Sequence, residues 1–130
     1  MSEAVLDSSA LLALLLDEPG AKEVMAALPG ALLSSVNLAE VVAKLCERGM
    51  PVDEARAAIE ATGAELVDFT ADHACLSGDL RGATKSAGLS LGDRACLALA
   101  RTRNLPAMTS DSAWAHVAGF DVVVIRAARG

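Results

Sequence analysis

Four acidic residues stand where a protein could use them together: Asp7, Glu40, Asp93 and Asp111. Asp7 follows the short apolar run Ala4-Val5-Leu6, and Asp111 follows Ala107-Met108-Thr109-Ser110. Glu40 and Asp93 each close a segment in which a polar residue precedes the acid by three positions, Asn37-Leu38-Ala39-Glu40 and Ser90-Leu91-Gly92-Asp93. Carboxylates gathered in one pocket repel one another and favour a cation. Mg²⁺ and Mn²⁺ are hard ions that take oxygen ligands and keep several waters. Held by a few carboxylates, one or two of them can activate a water and steady the charge on a phosphodiester during in-line attack. The condition is convergence in space.

Each acid also has a structural role open to it. Asp111 can cap a helix beginning at Ser112, and Asp7 can form an Asx-turn with Ser8-Ser9. Asn37-x-x-Glu40 and Ser90-x-x-Asp93 both fit the capping-box spacing. Glu40 can pair with Lys44, and it points away from the apolar stripe Leu38, Val41, Val42 and Leu45, so a solvated face accounts for it. Asp93 is the exception. Leu89, Cys96, Leu97 and Ala100 share its helical face, and a carboxylate among them is costly unless donors or a cation satisfy it.

The elements around these residues alternate. Strands are expected at Ala4–Leu6, Ala31–Ser34, Glu65–Phe69, Ala107–Thr109 and Asp121–Ile125. Helices are expected at Ser9–Leu16, Ala21–Leu28, Val36–Arg48, Val52–Thr62, Thr70–Ala87, Ser90–Arg103 and Asp111–Ala118, with Pro-Gly pairs and Gly88 as breaks. Apolar strands alternating with helices predict a three-layer α/β/α domain over residues 1–130, with a mostly parallel sheet of about five strands. In such sheets ligands collect at the carboxyl ends of the strands.

Composition narrows the classes further. An apolar fraction of 53% supports a buried core and excludes a disordered chain. The longest apolar run, Ala10–Leu16, is 7 residues, too short to cross a bilayer. No Lys or Arg precedes it, so a signal peptide is not expected and a cytoplasmic protein is. Cys46, Cys75 and Cys96 lack disulfide or zinc spacing and read as reduced core thiols. The net charge is −6, yet Arg81, Lys85, Arg94, Arg101 and Arg103 are opposed locally only by Asp93. They could attract phosphate or simply lie on solvated faces, and Arg94 could pair with Asp93. With 2% aromatics, base stacking has little to work with. His73 and His116 read as surface or capping residues, and Trp114 as a core or dimer anchor.

The segments Val5-Leu6-Asp7-Ser8-Ser9-Ala10-Leu11-Leu12-Ala13-Leu14, Asn37-Leu38-Ala39-Glu40-Val41, Gly88-Leu89-Ser90-Leu91-Gly92-Asp93-Arg94-Ala95-Cys96-Leu97-Ala98-Leu99-Ala100 and Thr109-Ser110-Asp111 resemble the PIN domain of VapC-type toxins in order and spacing. That resemblance implies a Mg²⁺- or Mn²⁺-dependent endoribonuclease that leaves a 3′-hydroxyl and a 5′-phosphate. It implies that Asp7, Glu40, Asp93 and Asp111 ring the metal, that Ser9 supports Asp7, and that Thr109 supports the Asp111 end. It further implies a homodimer and a small antitoxin protein that blocks the site, which an inserted Arg or Lys could do by replacing the metal.

Three other classes compete. A non-catalytic PIN-like binding subunit would share the fold, although all four acids are present. A phosphoacceptor receiver domain shares the length and the parallel sheet. It needs adjacent acids after the first strand and a late Lys, whereas Ser8-Ser9 follow Asp7 and no Lys follows Lys85. A haloacid-dehalogenase-like phosphatase would need a second Asp where Ser9 stands.

Overall fold

Val5 and Leu6 are both fully buried, and they face opposite sides of one sheet. The computed structural model describes residues 3–125. Its strands are β1 (Val5–Leu6), β2 (Leu32–Ser34), β3 (Glu65–Val67), β4 (Ala107–Thr109) and β5 (Val122–Val124). They run parallel in the order β3-β2-β1-β4-β5. The helices are α1 (Ser8–Leu15), α2 (Ala21–Ala27), α3 (Ser35–Glu47), α4 (Val52–Ala61), α5 (Ala71–Thr84) and α6 (Leu91–Arg103).

Leu6, Leu33 and Met108 bury against α1 to α4, with Leu11, Val24, Val41 and Ile59 filling that side. Val5, Leu32 and Ala107 bury against α5 and α6, with Leu80, Leu97 and Trp114. The result is the three-layer arrangement the alternation predicts. Trp114 is fully buried, a core residue.

Several boundaries differ from the sequence reading. The third strand stops at Val67, and the amide of Phe69 instead donates to Ser35 Oγ at 2.9 Å. The long helix after Thr70 ends at Thr84 and passes into a 3₁₀ turn, Lys85–Ala87, which Gly88 closes at φ +69°, a left-handed conformation that glycine adopts without strain. The segment after Asp111 is a 3₁₀ helix, Ser112–His116. Of the cysteines, Cys96 alone is buried; Cys46 and Cys75 lie on the outer faces of α3 and α5, so they are not core thiols.

The chain builds β2 and β3 to one side of β1, then crosses to place β4 on the other. The carboxyl ends of β1 and β4 therefore flank a topological switch point, where adjoining connections diverge and leave a crevice. Asp7 and Thr109 stand there. The order also removes the receiver reading, because β3, just ahead of Asp68, is an edge strand, whereas receiver sheets run 2-1-3-4-5. Among the described residues no helix is long and apolar enough to cross a membrane.

Candidate acidic active site

Asp7 ends β1 and is only 4% exposed. Its carboxylate accepts from Ser9 Oγ at 2.6 Å and from Thr109 Oγ1 at 2.9 Å. The same two hydroxyls are fixed in turn. Ser9 Oγ accepts from the amide of Ser110 at 3.0 Å, and Thr109 Oγ1 accepts from the amide of Asp111 at 3.1 Å. Thr109 thus serves both ends, its proton going to Asp7 and its lone pair to the Asp111 backbone. Burial pushes the Asp7 carboxyl up to about 6, and the charge of Asp93 adds to the rise, while the two hydroxyls work against it. Among the described residues no cation pairs with Asp7; Lys44–Glu47 and Arg56–Glu60 are ion pairs on the surface. Lys44 therefore turns to Glu47 and not to Glu40.

Asp93 forms the capping box its spacing predicts. Ser90 N donates to its Oδ2 at 2.9 Å, and its own amide donates to Ser90 Oγ at 3.2 Å. It is half-buried, and its carboxyl is raised by burial first, then by the charges of Glu40 and Asp111. Arg94 makes no ion pair with it and donates to the Ser77 carbonyl at 2.9 Å.

The Asn37–Glu40 segment does not form a capping box. Ser34 caps α3 by accepting from Val36 N, so Asn37 falls inside the first turn and is wholly buried. Its Nδ2 reaches Ser8 Oγ at 3.1 Å, Glu40 Oε1 at 3.0 Å and the Gly92 carbonyl at 3.1 Å. Ser8 Oγ also donates to Glu40 Oε1. Glu40 is consequently drawn inward and half-buried, not left on a solvated face. Sequence reasoning missed Ser8, Asn37 and Gly92; the one available signal was three polar residues among four, Ser34, Ser35 and Asn37, near the start of α3.

Asp7, Glu40 and Asp93 line one cleft of about 400 Å³, together with Ser8, Ser9 and Lys44. Asp111 does not line it. That side chain is exposed, its Oδ1 accepting from Ala113 N at 2.9 Å as a cap, and it reaches the site through its charge on Asp93. Burial and the charges of Asp7, Asp93 and Glu40 push the Cys96 thiol up, so it cannot serve as a thiolate nucleophile. None of the basic residues from Arg81 to Arg103 lines the cleft. Arg101 lies over Phe120 at 4.3 Å, beside the amino ends of β4 and β5.

An all-oxygen set of carboxylates, with the Asp7 and Asp93 carboxyls raised by burial and neighbouring charge, suits a hard divalent cation. Among the described residues no three His, Cys, Asp or Glu side chains form a closed ligand group. The donor chemistry fits; the closure does not yet exist.

The sequence model of the PIN domain matches residues 4–120. The chain belongs to the PIN-domain family, whose members are generally nucleases. No curated protein matches it in sequence. Among solved structures it is similar to a toxin–antitoxin complex from Klebsiella pneumoniae, at 24% identity over 93% of this chain and 96% of that one, with a TM-score of 0.72. It is similar to VapBC2 from Rickettsia felis bound to a promoter DNA fragment, at 14% identity over 94% and 98%, with a TM-score of 0.73. DNA-bound VapBC from Salmonella typhimurium gives 18% identity over 95% and 98%, with a TM-score of 0.72. At these identities the likeness is one of fold.

Proposed function

We propose that the chain is a Mg²⁺- or Mn²⁺-dependent endoribonuclease acting in the cytoplasm as the toxin of a toxin–antitoxin pair. The observation that carries this reading is Asp7. A buried carboxylate with no cation partner among the described residues, facing Glu40 and Asp93 across one cleft, is costly to the fold and useful to a metal. Asp7, Glu40 and Asp93 are the residues that would hold the ion, and Asp111 adds negative charge from the rim. A bound ion would supply an acidified water and positive charge beside the phosphoryl oxygens. Ser9 and Thr109 keep the Asp7 carboxylate oriented and favour its charged form. The toxin role draws support from the fold shared with toxin–antitoxin complexes, and the acidic cleft suits an Arg or Lys from an antitoxin. A homodimer is part of the same proposal.

Cleavage of a labelled RNA with Mn²⁺ or Mg²⁺ tests the enzyme claim. Wild type should cut, EDTA should abolish cutting, and Asp7→Asn and Asp93→Asn should lose at least a hundredfold in rate. Equal cutting by wild type and both variants overturns it. Growth arrest on expression, relieved by the antitoxin, tests the toxin role; normal growth with soluble, active protein overturns that part alone.

A further inference from the structure

Where α3 meets α6, the Glu40 carboxylate lies against the backbone of Gly92, and a Cβ built on Gly92 would fall inside that carboxylate. Gly92 is the second residue of α6, in ordinary helical geometry, so no demand on its own backbone explains the glycine. Glycine is a poor helix former next to alanine, which makes its presence in the first turn a local cost. Asn37 faces the same point from α3. The Gly92 carbonyl and the Glu40 carboxylate can only accept, which fixes the amide with Nδ2 toward both. Its Oδ1 is left buried without a donor. An asparagine that sacrifices one side of its amide is held there by what the other side does.

We propose that Gly92 and Asn37 are positioning residues for Glu40: the missing side chain of Gly92 makes room for the carboxylate, and the Asn37 amide, with Ser8, turns it into the cleft beside Asp7 and Asp93. The proposal rests on the reading of the cleft as a cation site. It explains how an acid outside the apolar stripe of α3 is drawn inward. It also explains why Asp93 is preceded by glycine: the residue that admits Glu40 is the neighbour of the acid that Glu40 must meet.

The test is a double-mutant cycle on purified protein, read by Mn²⁺ calorimetry and metal-free crystal structures. In Gly92→Ala the group that must yield is the far end of a flexible side chain, so the variant should fold with a midpoint within a few degrees of wild type. Its Mn²⁺ affinity should fall about 10- to 100-fold, the range for groups that orient metal ligands. Asn37→Leu should lose affinity similarly. In a Glu40→Ala background neither substitution should lower affinity further, since the side chain they position is gone. Losses that add to that of Glu40→Ala, or wild-type affinity in Gly92→Ala, overturn the proposal. The metal-free crystal structure of Gly92→Ala should show Glu40 withdrawn from Ser8 and Asn37, and an unmoved Glu40 overturns it also. If wild type binds no Mn²⁺, the cation reading of the cleft fails, and the crystal structure alone decides the positioning claim.

Discussion

The hydroxyl of Thr109, at the end of β4, donates to the carboxylate of Asp7, at the end of β1, across 2.9 Å in space and 102 positions in sequence. Parallel pairing of Val5 with Ala107 and of Leu6 with Met108 sets the register that makes this bond. The sheet thus fixes the first acid of the site from two strands at once.

Thr109→Val keeps the shape of a fully buried side chain and removes the hydroxyl that, beside Ser9, donates to Asp7. A hydrogen bond to a charged group contributes about 2 kcal/mol, so urea unfolding at pH 7 without metal should show a loss of that order. Protonation of Asp7 weakens its need for the donor. The loss should therefore shrink below about pH 5, where the folded-state carboxyl, titrating at about 6, holds its proton.

Asp7 itself should make the metal-free protein less stable as pH rises. Its carboxyl is raised from 3.8 to about 6, so the folded state binds the proton more tightly than the unfolded state. The stabilisation from that proton is complete below about pH 4 and is lost as pH climbs through 6. The difference corresponds to about 3 kcal/mol by pH 7. Asp93 is raised as well and acts in the same direction. Asp7→Asn should accordingly raise the metal-free melting temperature at pH 7 and flatten its dependence between pH 4 and 7, measured by calorimetric scans. Unchanged pH dependence in that variant would show that Asp7 is not the buried acid responsible.

Asp111 caps a turn without lining the cleft, whereas Asp93 does both. Its side chain caps the Ser112–His116 turn, and asparagine caps nearly as well as aspartate. Asp111→Asn should leave stability within a few tenths of a kcal/mol, whereas Asp111→Ala should lose about 1 kcal/mol. Because Asp111 stands outside the cleft, Asp111→Asn should weaken Mn²⁺ less than Asp7→Asn or Asp93→Asn, as titration calorimetry can rank. An equal or larger effect would place Asp111 among the direct ligands.

The alternation of strands and helices was legible because burial on both sheet faces leaves continuous apolar runs, and the Ser90–Asp93 box was legible because capping is local. Asn37–Glu40 shows the limit. Ser34, Ser35 and Asn37 all offer caps, and only the end of β2 at Ser34 decides among them. What Asn37 does instead depends on partners 29 and 55 positions away, which no local spacing reveals. The basic stretch shows the same limit: Arg81 to Arg103 are neighbours in sequence, yet none of them lines the cleft, Arg94 turning to the Ser77 carbonyl and Arg101 to the Phe120 ring.

A crystal of the wild-type protein soaked in Mn²⁺ and measured at the manganese anomalous edge tests the account most directly. The account predicts one anomalous peak or an adjacent pair in the cleft, with carboxylate oxygens of Asp7, Glu40 and Asp93 drawn in to about 2.0–2.2 Å as ligands. A clean map with no peak in the cleft, or manganese held only elsewhere on the surface, would contradict it.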